Sequence, residues 1–406
     1  MPVEPSLGFN RGARPSPGWS VAEAPSFELI TTQPALAELL ARAEGCERYG
    51  LDTEFHRERT YFPQLALIQL RVNGVNYLID PLAVDPSPLS ALFESPSVAI
   101  LHASRQDLEV LEHSIGSAPA HVFDTQIAAG LLGFPSASLA SLLDREVGVQ
   151  AAKGDRLTDW LRRPLTDRQL AYAAADVAWL DEMADSLSAQ LDELGRLDWL
   201  REATEELHME PRGPRAPEDA WRKIKEARHL KGRDLATAQA IAEWREKRAQ
   251  ALDLTPRYVL ADLAVVGLAV AKPTVPAEFA GIRGIDARSL KPVSEELIAV
   301  IANAAATPRR DAPNPAGELP ASMRPALSLI TAWVAQLARQ AKIDPALLAN
   351  RSDLEDFLRG APTARLGSGW RSELVGNDLK QLVGGSAVLA FDRGAGLVLE
   401  PRAIAD

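Results

Sequence analysis

The stretch Tyr49-Gly50-Leu51-Asp52-Thr53-Glu54-Phe55 joins an apolar run to two acids that are separated by one residue. In a β-strand, alternate side chains point to the same face, so we expect Asp52 and Glu54 to lie side by side. Adjacent carboxylates repel each other, but a divalent cation removes the repulsion and uses both as oxygen ligands. An isolated Asp-x-Glu is more often a pair of solvated acids, so a metal site requires further acids elsewhere.

Strand and helix patterns surround this stretch. Two apolar runs, 64–72 and 75–80, are joined by Asn73-Gly74, which is a strong signal for a β-hairpin. Alternating apolar patterns and caps predict the other elements. We expect strands at 26–30, 98–101 and 122–123, and helices at 32–43, 104–113, 124–132 and 167–194, the last with a capping box at 166–169. This mixture predicts an α/β fold in which helices flank a mixed sheet.

The composition indicates a folded protein of two or three domains. The chain has 406 residues, of which 46% are hydrophobic and 24% are charged. Its net charge of −11 argues against attraction of nucleic acid to the whole surface, although a local basic face remains compatible with it. A single cysteine, Cys46, excludes an intramolecular disulfide, and no run is apolar enough to cross a membrane. We therefore expect a cytoplasmic protein with no membrane partner.

Two further acids have a context that favours chemistry. Asp107 lies on the helix expected after the strand at 98–101. Asp176 follows Tyr172 by four residues, which places both on one face of a helix, and only alanines separate them. Two-metal hydrolysis of phosphodiesters requires carboxylates from several elements, and these acids would supply them. Taken singly, Asp107 would more often be a surface acid and Tyr172 a half-buried phenol.

An ordered set of motifs resembles the ribonuclease D family, which belongs to the DEDD 3′→5′ exonucleases with Tyr in the last motif. The resemblance covers roughly residues 26–205. Its motifs are LDTEF (51–55), LALIQL (65–70), LHASRQDL (101–108), FDTQIAAGLLG (123–133), LTDWLRRPLT (157–166) and YAAADVAWL (172–180). The resemblance implies a ribonuclease-H-like α/β domain.

The same resemblance implies the chemistry of the site. It implies two divalent metal ions, Mg²⁺ or Mn²⁺, held by four acids that are also catalytic: Asp52, Glu54, Asp107 and Asp176. It further implies hydrolysis at the 3′ end of RNA with release of nucleoside 5′-monophosphates. Because an ordinary Tyr has a pKa near ~10, we expect Tyr172 to orient the attacking water rather than to deprotonate it. The family points to 3′ trimming of tRNA precursors and other structured RNA.

Several residues near this site are candidates for contact with nucleic acid. Phe55 and the backbone of Thr53 could stack or wedge against terminal bases. Lys153 and Arg156, in a loop before the last motif, could hold phosphates, although a solvated charged loop is equally compatible with the sequence. Asp80 and Asp124 are expected to serve a turn and a helix N-cap, and we leave both outside the metal set.

The rest of the chain is expected to be helical. Residues 220–265 resemble the HRDC domain, a small nucleic-acid-binding module. Arg and Lys outnumber Asp and Glu in residues 212–233, which is typical of a phosphate-binding face. Candidates for phosphate contacts there are Arg222, Lys223, Lys225 and Arg228. The expected divisions are a disordered leader 1–24, an exonuclease domain 25–208, a linker 209–217, an HRDC domain 218–295, a linker 296–320 and a helical, HRDC-like C-terminal domain 321–406.

Two alternative functions remain open at this point. The acids do not distinguish ribose from deoxyribose, so a 3′→5′ DNA exonuclease is the enzymatic alternative, and DNA remains a partner to test. A non-catalytic RNA-binding adaptor is the other alternative, and the intact set of acids argues against it. Because all five expected catalytic residues precede residue 205, a chain ending near residue 210 is expected to cleave short oligomers.

Overall fold

The computed structural model describes residues 25–150, 158–214, 216–304 and 319–402. The leader predicted for residues 1–24 and most of the second predicted linker lie outside these ranges. In the ranges described, no helix combines the length and apolar character needed to span a bilayer.

A six-stranded mixed sheet forms the centre of the N-terminal α/β domain. Its order is β1-β4-β3-β2-β5-β6, in which β3 is antiparallel to both neighbours and the other adjacent pairs are parallel. The strands are β1 Phe27–Ile30, β2 Arg48–His56, β3 Gln64–Val72, β4 Val75–Ile79, β5 Val98–Leu101 and β6 His121–Asp124. The α/β fold expected from the sequence is confirmed, and β2, which carries Asp52 and Glu54, is a central strand.

The hairpin between β3 and β4 forms at the predicted dipeptide. Asn73 and Gly74 both have positive φ, 50° and 81°, which is the requirement of the two-residue turn that Asn-Gly favours. Val72 pairs with Val75 directly across this turn. The turn therefore fixes the register that brings β3 alongside β2.

Within residues 25–150 and 158–214, eight α-helices belong to this domain. They are α1 Gln33–Ala43, α2 Ser90–Phe93, α3 Arg105–Ile115, α4 Thr125–Leu131, α5 Leu139–Leu142, α6 Asp167–Val177, α7 Leu180–Glu193 and α8 Leu197–Met209. The capping box at Thr166 and Gln169 is present. One expectation was wrong: the predicted long helix is two helices, because Trp179 leaves the helical conformation at φ −126° and ψ 13°. The break lets α6 pack against the sheet while α7 also packs against α4.

The central helical domain has a hydrophobic core of its own. Its helices are α9 Gly232–Leu252, α10 Pro256–Val259, α11 Asp262–Ala271, α12 Ala287–Leu290 and α13 Ser294–Ala304. Trp221, Trp244 and Phe279 lie in this core. The expected end of the domain at residue 295 falls in the first turn of α13. Because Leu297 and Ile301 of α13 are buried in the same core, the helix belongs to the domain rather than to a linker.

The C-terminal domain is helical and ends in a two-stranded hairpin. Its elements are α14 Arg324–Ala341, α15 Pro345–Leu348, α16 Arg351–Arg359, α17 Gly369–Arg371, α18 Asn377–Gly384, β7 Ala387–Asp392 and β8 Gly396–Pro401. The strands β7 and β8 pair in antiparallel fashion on either side of Gly394, which the expectation of a helical domain did not include.

The C-terminal domain shares one hydrophobic core with the α/β domain. Buried Leu131, Leu187 and Leu200 of the α/β domain belong to the same cluster as Trp333 and Leu382. Removal of the C-terminal domain would uncover these side chains to water. The expectation that a chain ending near residue 210 remains an active unit is therefore revised, since it assumed that the α/β domain completes its core alone.

Polar contacts reinforce this shared core. Glu206 on α8 accepts hydrogen bonds from Arg365 and Arg371 across the interface. Trp199 stacks on Trp370 with ring centroids 4.9 Å apart. Arg371 is 2% exposed, so its charge depends on Glu206 for compensation. Loss of one partner would leave a buried charge unpaired, which destabilises proteins strongly.

Candidate active site

Three of the four expected metal ligands meet on one face of the sheet. Asp52 and Glu54 occupy alternate positions on β2, and Asp176 lies on α6, which packs over β2 and β3. One carboxylate oxygen from each of the three lies within 4.8 Å of the others. A shift in register follows Glu54, and such β-bulges re-aim side chains next to functional sites. The cluster presents only hard oxygen donors, which suits Mg²⁺ or Mn²⁺.

Asp107 is set apart from this cluster. It lies in the first turn of α3 and is 7% exposed, and its carboxylate accepts a hydrogen bond from the hydroxyl of Thr53. Of the four acids that were expected to gather, three therefore form the cluster, whereas Asp107 lies outside it on α3. Asp107 is nevertheless close enough to act electrostatically on Asp52.

Burial and mutual repulsion raise the pKa values of these acids. Burial raises the pKa of Glu54 to about 8, with Asp176 and Asp107 adding to the effect. Burial raises the pKa of Asp107 to about 7, although the hydrogen bond from Thr53 opposes the rise. Burial also holds the pKa of Asp52 well above its usual range, and Asp107, Asp176 and Glu54 contribute further. Unbalanced negative charge of this kind is what a divalent cation neutralises, so the donor set fits a metal centre.

Tyr172 lies on the same helix as Asp176, one turn earlier. Its half-buried ring packs 6.1 Å from the ring of Trp160, centroid to centroid. The small side chains of Ala173 and Ala174 are fully buried against β3 and β4, which brings α6 close to the sheet. This close approach places the Tyr172–Asp176 face of the helix beside β2.

The acids that were left outside the metal set have structural partners. Asp80 accepts hydrogen bonds from Nε and Nη2 of Arg163 at 2.6 and 2.7 Å. Asp124 caps α4 as predicted, and it also accepts the backbone N–H and the hydroxyl of Ser104, both at 2.8 Å. Both carboxylates are committed to these bonds, which agrees with their exclusion.

The residues expected to contact nucleic acid fall into three groups. Lys153 and Arg156 lie outside the described residues. The Thr53 side chain is 6% exposed and engaged with Asp107, so only its backbone is available to a ligand. Phe55 is half-buried and packs against the hydrophobic cluster that contains Leu51 and Leu65. In the central domain Lys223, Lys225 and Arg228 are exposed.

Arg222 differs from its neighbours. It is half-buried and its Nε donates to Asp219 at 2.8 Å. Its guanidinium also lies 5.2 Å from the ring centroid of Trp221. These contacts commit it to the local structure, so of the four basic candidates in the central domain it is the least available to a phosphate.

A groove between the α/β domain and the central domain was not expected from the sequence. A cavity of about 650 Å³ lies between the segment that follows β2, helix α3, the end of α8 and the central domain. Its basic lining residues are Arg57, Arg105, Arg212 and Lys223. Three of them pair with acids, for example Arg105 with Glu210 at 2.8 Å. No local sequence pattern marks a groove whose walls come from residues so far apart in the chain.

Comparison with known proteins relates two parts of the chain to described families. Residues 27–192 match a 3′-5′ exonuclease family model, and residues 234–301 match an HRDC domain model. The chain is 37% identical over 389 residues to ribonuclease D of Acidiphilium cryptum, which covers 93% of this chain and 97% of the relative. It is 36% identical over 373 residues to ribonuclease D of Escherichia coli, with 88% and 98% covered.

Solved structures agree with these relatives. The crystal structure of Escherichia coli RNase D, described as an exoribonuclease involved in structured RNA processing, matches with a TM-score of 0.81 and 33% identity. That match covers 89% of this chain and 99% of the other. The catalytic core of RRP6 from Trypanosoma brucei has a TM-score of 0.57 at 23% identity, over 71% and 83% of the two chains, which is a likeness of fold alone.

Proposed function

The chain belongs to the ribonuclease D family and is a 3′→5′ exoribonuclease, and we propose that Asp52, Glu54 and Asp176 form its hydrolytic centre. The observation that carries this proposal is the convergence of these three carboxylates within 4.8 Å, on a sheet face where burial opposes the ionisation of Asp52 and Glu54. Such an arrangement is unfavourable unless a cation compensates it.

The centre would hold two divalent metal ions, Mg²⁺ or Mn²⁺. Asp52, Glu54 and Asp176 are the ligands offered at the cluster, and Asp107 is the fourth, oriented by Thr53. When bound, such ions supply a lowered pKa for the attacking water and stabilise the departing 3′ oxygen. Charge balance supports this number, because the three clustered carboxylates and Asp107 would together carry four negative charges, which two divalent cations would neutralise.

Tyr172 would position the attacking water. Its hydroxyl is carried by the helix that carries Asp176, and its ring is held against Trp160. A phenol with an ordinary pKa near ~10 is a poor base at neutral pH, so orientation is the more effective role. The exposed part of half-buried Phe55, one residue beyond Glu54, would stack against a terminal base.

Structured RNA, with tRNA precursors first, is the substrate class that we propose, in the cytoplasm. The relative from Escherichia coli is described as acting in structured RNA processing. The groove, with Arg57 and Arg105 on the exonuclease domain and Lys223 on the central domain, would offer a path for the strand behind the 3′ end. The exposed Lys225 and Arg228 extend this basic face for phosphate contacts. Lys153 and Arg156, which lie outside the described residues, stay candidates for phosphate contacts from the sequence alone.

Matched oligomers of RNA and DNA test the activity. We expect release of nucleoside 5′-monophosphates from the 3′ end of RNA with Mg²⁺ or Mn²⁺, and none with EDTA. Faster hydrolysis of DNA would favour the alternative of a DNA exonuclease, and no hydrolysis of either would favour a binding adaptor.

A charge variant tests the proposed centre itself. Asp52→Asn should abolish hydrolysis and raise the melting temperature in EDTA by a few degrees, because it removes one of several repelling carboxylates. Glu47→Gln, at an exposed acid just before β2, should change neither quantity. Substantial hydrolysis by Asp52→Asn at saturating Mg²⁺ would place the centre elsewhere.

A further inference from the structure

Gln69 is a fully buried amide at the edge of the acid cluster. It is 0% exposed, and on β3 it is the direct cross-strand partner of Asp52 on β2. Neither its Oε1 nor its Nε2 has a hydrogen-bond partner among the residues described. Buried polar groups in folded proteins almost always have partners, so an amide with two unpaired atoms requires an explanation.

The side chain of Gln69 lies on the same sheet face as the acids. Cross-strand partners project to the same face, and Leu67 and Arg71, two residues away on either side, identify that face. Leu67 packs with Ala173 and Ala174 of α6, and Nε of Arg71 donates to Asp181 of α7 at 2.9 Å. Gln69 therefore lies beneath helices α6 and α7, on the same sheet face as the carboxylate of Asp52.

An amide at this position complements a ligand carboxylate. A carboxylate that gives one oxygen to a cation keeps a second oxygen that accepts hydrogen bonds, and metal ligands are commonly oriented by such outer contacts. The side-chain NH₂ of Gln69 is a donor without a described partner, and Asp52 is the acid directly across from it. Leu78, the cross-strand partner of Gln69 on β4, offers no polar side chain.

We propose that Gln69 is a positioning residue of the metal centre, whose side-chain Nε2 donates a hydrogen bond to the carboxylate of Asp52 when a divalent cation is bound. The inference rests on the proposed function of the acid cluster. In this role Gln69, a polar residue in the largely apolar strand β3, would hold the Asp52 carboxylate in one orientation.

Metal affinity of the full chain tests this role. Gln69→Met removes both polar atoms and nearly preserves volume. We expect the Mn²⁺ affinity measured by calorimetry to fall by ~10–100-fold, the usual effect of losing an outer contact to a metal ligand. The melting temperature in EDTA should stay equal or rise, because a buried amide without a partner is removed.

A matched control separates this effect from altered packing. Leu67→Met changes the same strand and the same face, opposite Glu54, and should leave Mn²⁺ affinity unchanged. If the unmodified chain binds no Mn²⁺, the proposed centre itself fails. If the unmodified chain and both variants bind Mn²⁺ equally, only the role of Gln69 is overturned.

If Gln69→Met does not fold, the proposal can be tested on the unmodified chain instead. In a crystal structure of the unmodified chain with Mn²⁺, Nε2 of Gln69 should lie within hydrogen-bonding distance of an Asp52 oxygen. An amide bonded instead to another group would overturn the proposal.

Discussion

Asp253 and Tyr61 are joined by a hydrogen bond across the boundary between the HRDC domain and the exonuclease domain. Oδ1 of Asp253, at the end of α9, accepts the backbone N–H of Tyr61 at 3.0 Å, and it accepts that of Phe62 at the same distance. Glu246 of α9 also accepts the hydroxyl of Tyr61 at 2.7 Å. The HRDC domain thereby holds the segment that connects the two strands β2 and β3.

This segment also contacts the helix of Asp107. Phe62 stacks on His113 of α3, with ring centroids 4.4 Å apart and planes at 5°. Arg57, at the start of the segment, forms an ion pair with Glu109 of α3. The segment 57–63 therefore links the HRDC domain to both elements that carry Asp52 and Asp107, although it provides no metal ligand.

Asp253→Ala should loosen this segment. The variant leaves two backbone donors without their acceptor, and hydrogen bonds to a charged acceptor contribute about 1.5–3 kcal/mol each. We expect amide hydrogen exchange at Tyr61 and Phe62 to accelerate by at least about tenfold, and kcat/KM on RNA to fall while Mn²⁺ affinity stays unchanged. Asp253→Asn keeps an accepting oxygen and should behave much more like the unmodified chain. Unaltered exchange at both amides in Asp253→Ala would contradict the proposed coupling.

The raised pKa values predict that metal binding displaces protons. Burial raises the pKa of Glu54 to about 8 and that of Asp107 to about 7, whereas in an unfolded chain such groups titrate near ~4. Without metal, the folded chain therefore binds more protons than the unfolded chain between these limits. The stability contributed by these two groups is complete below pH ~4 and is lost as the pH rises through 7 to 8.

Calorimetry in two buffers of different ionisation enthalpy measures the protons released. We expect Mn²⁺ to release more protons at pH 6 than at pH 9, where both carboxyls are already ionised. The rise in melting temperature on adding Mn²⁺ should be larger at pH 8.5 than at pH 6, since protons no longer compete for the ligands. Equal proton release at the two pH values would show that these acids do not bind the cation.

Tyr172→Phe tests the role of the phenol hydroxyl. The ring can still pack against Trp160, so the fold and Mn²⁺ affinity should persist. We expect kcat to fall by ~10²–10⁴-fold, the range for a lost group that acts on the reacting proton, with KM nearly unchanged. Tyr77→Phe, which loses a hydroxyl bonded to Arg42 at 3.2 Å, is the matched control. If kcat is the same in both variants, another group orients the water.

The exposed basic residues of the HRDC domain should contribute to RNA affinity through charge alone. Changing Lys223, Lys225 and Arg228 together to Gln should weaken binding and flatten the dependence of log affinity on log salt. Each lost phosphate contact lowers the slope by ~0.7 for a single strand and ~0.9 for a duplex. RNA affinity over a salt series, with Ca²⁺ replacing the catalytic metal, measures this slope.

The control for this series is Lys247→Gln. Lys247 is paired with Glu243 at 2.7 Å on α9 and has no predicted contact with RNA, so the slope should not change. A slope that is equal for the triple variant and the unmodified chain would mean that the HRDC face is merely solvated.

Short-range regularities account for the part of the site that the sequence could predict. The period of two in a strand placed Asp52 and Glu54 on one face, and the helical period placed Tyr172 beside Asp176. The register between β2 and β3 is harder to predict from the sequence, because it depends on the turn at Asn73-Gly74 and on the register shift after Glu54. From the sequence alone, Gln69 is therefore one polar residue in a largely apolar strand, and its pairing with Asp52 is not visible.

Contacts between distant segments account for most of what could not be predicted. Asp253 and Tyr61 are 192 residues apart, and the donor is a backbone N–H that every residue except proline carries. The hydrophobic cluster that contains Leu200 and Leu382 could not be predicted from the sequence either. Apolar periodicity shows that a helix face is buried, but it does not show against which element that face packs.

Because the exonuclease and C-terminal domains share one hydrophobic core, the exonuclease domain cannot complete its core until the C-terminal domain has been synthesised. About 180 residues separate Leu200 from Leu382, and ribosomes add roughly 5–20 residues per second, so the two sides of this core emerge roughly 10–40 seconds apart. Throughout that interval the nascent exonuclease domain displays an apolar surface that only its own C-terminus can cover. We therefore expect a premature stop after the HRDC domain to yield an aggregation-prone product instead of a smaller nuclease.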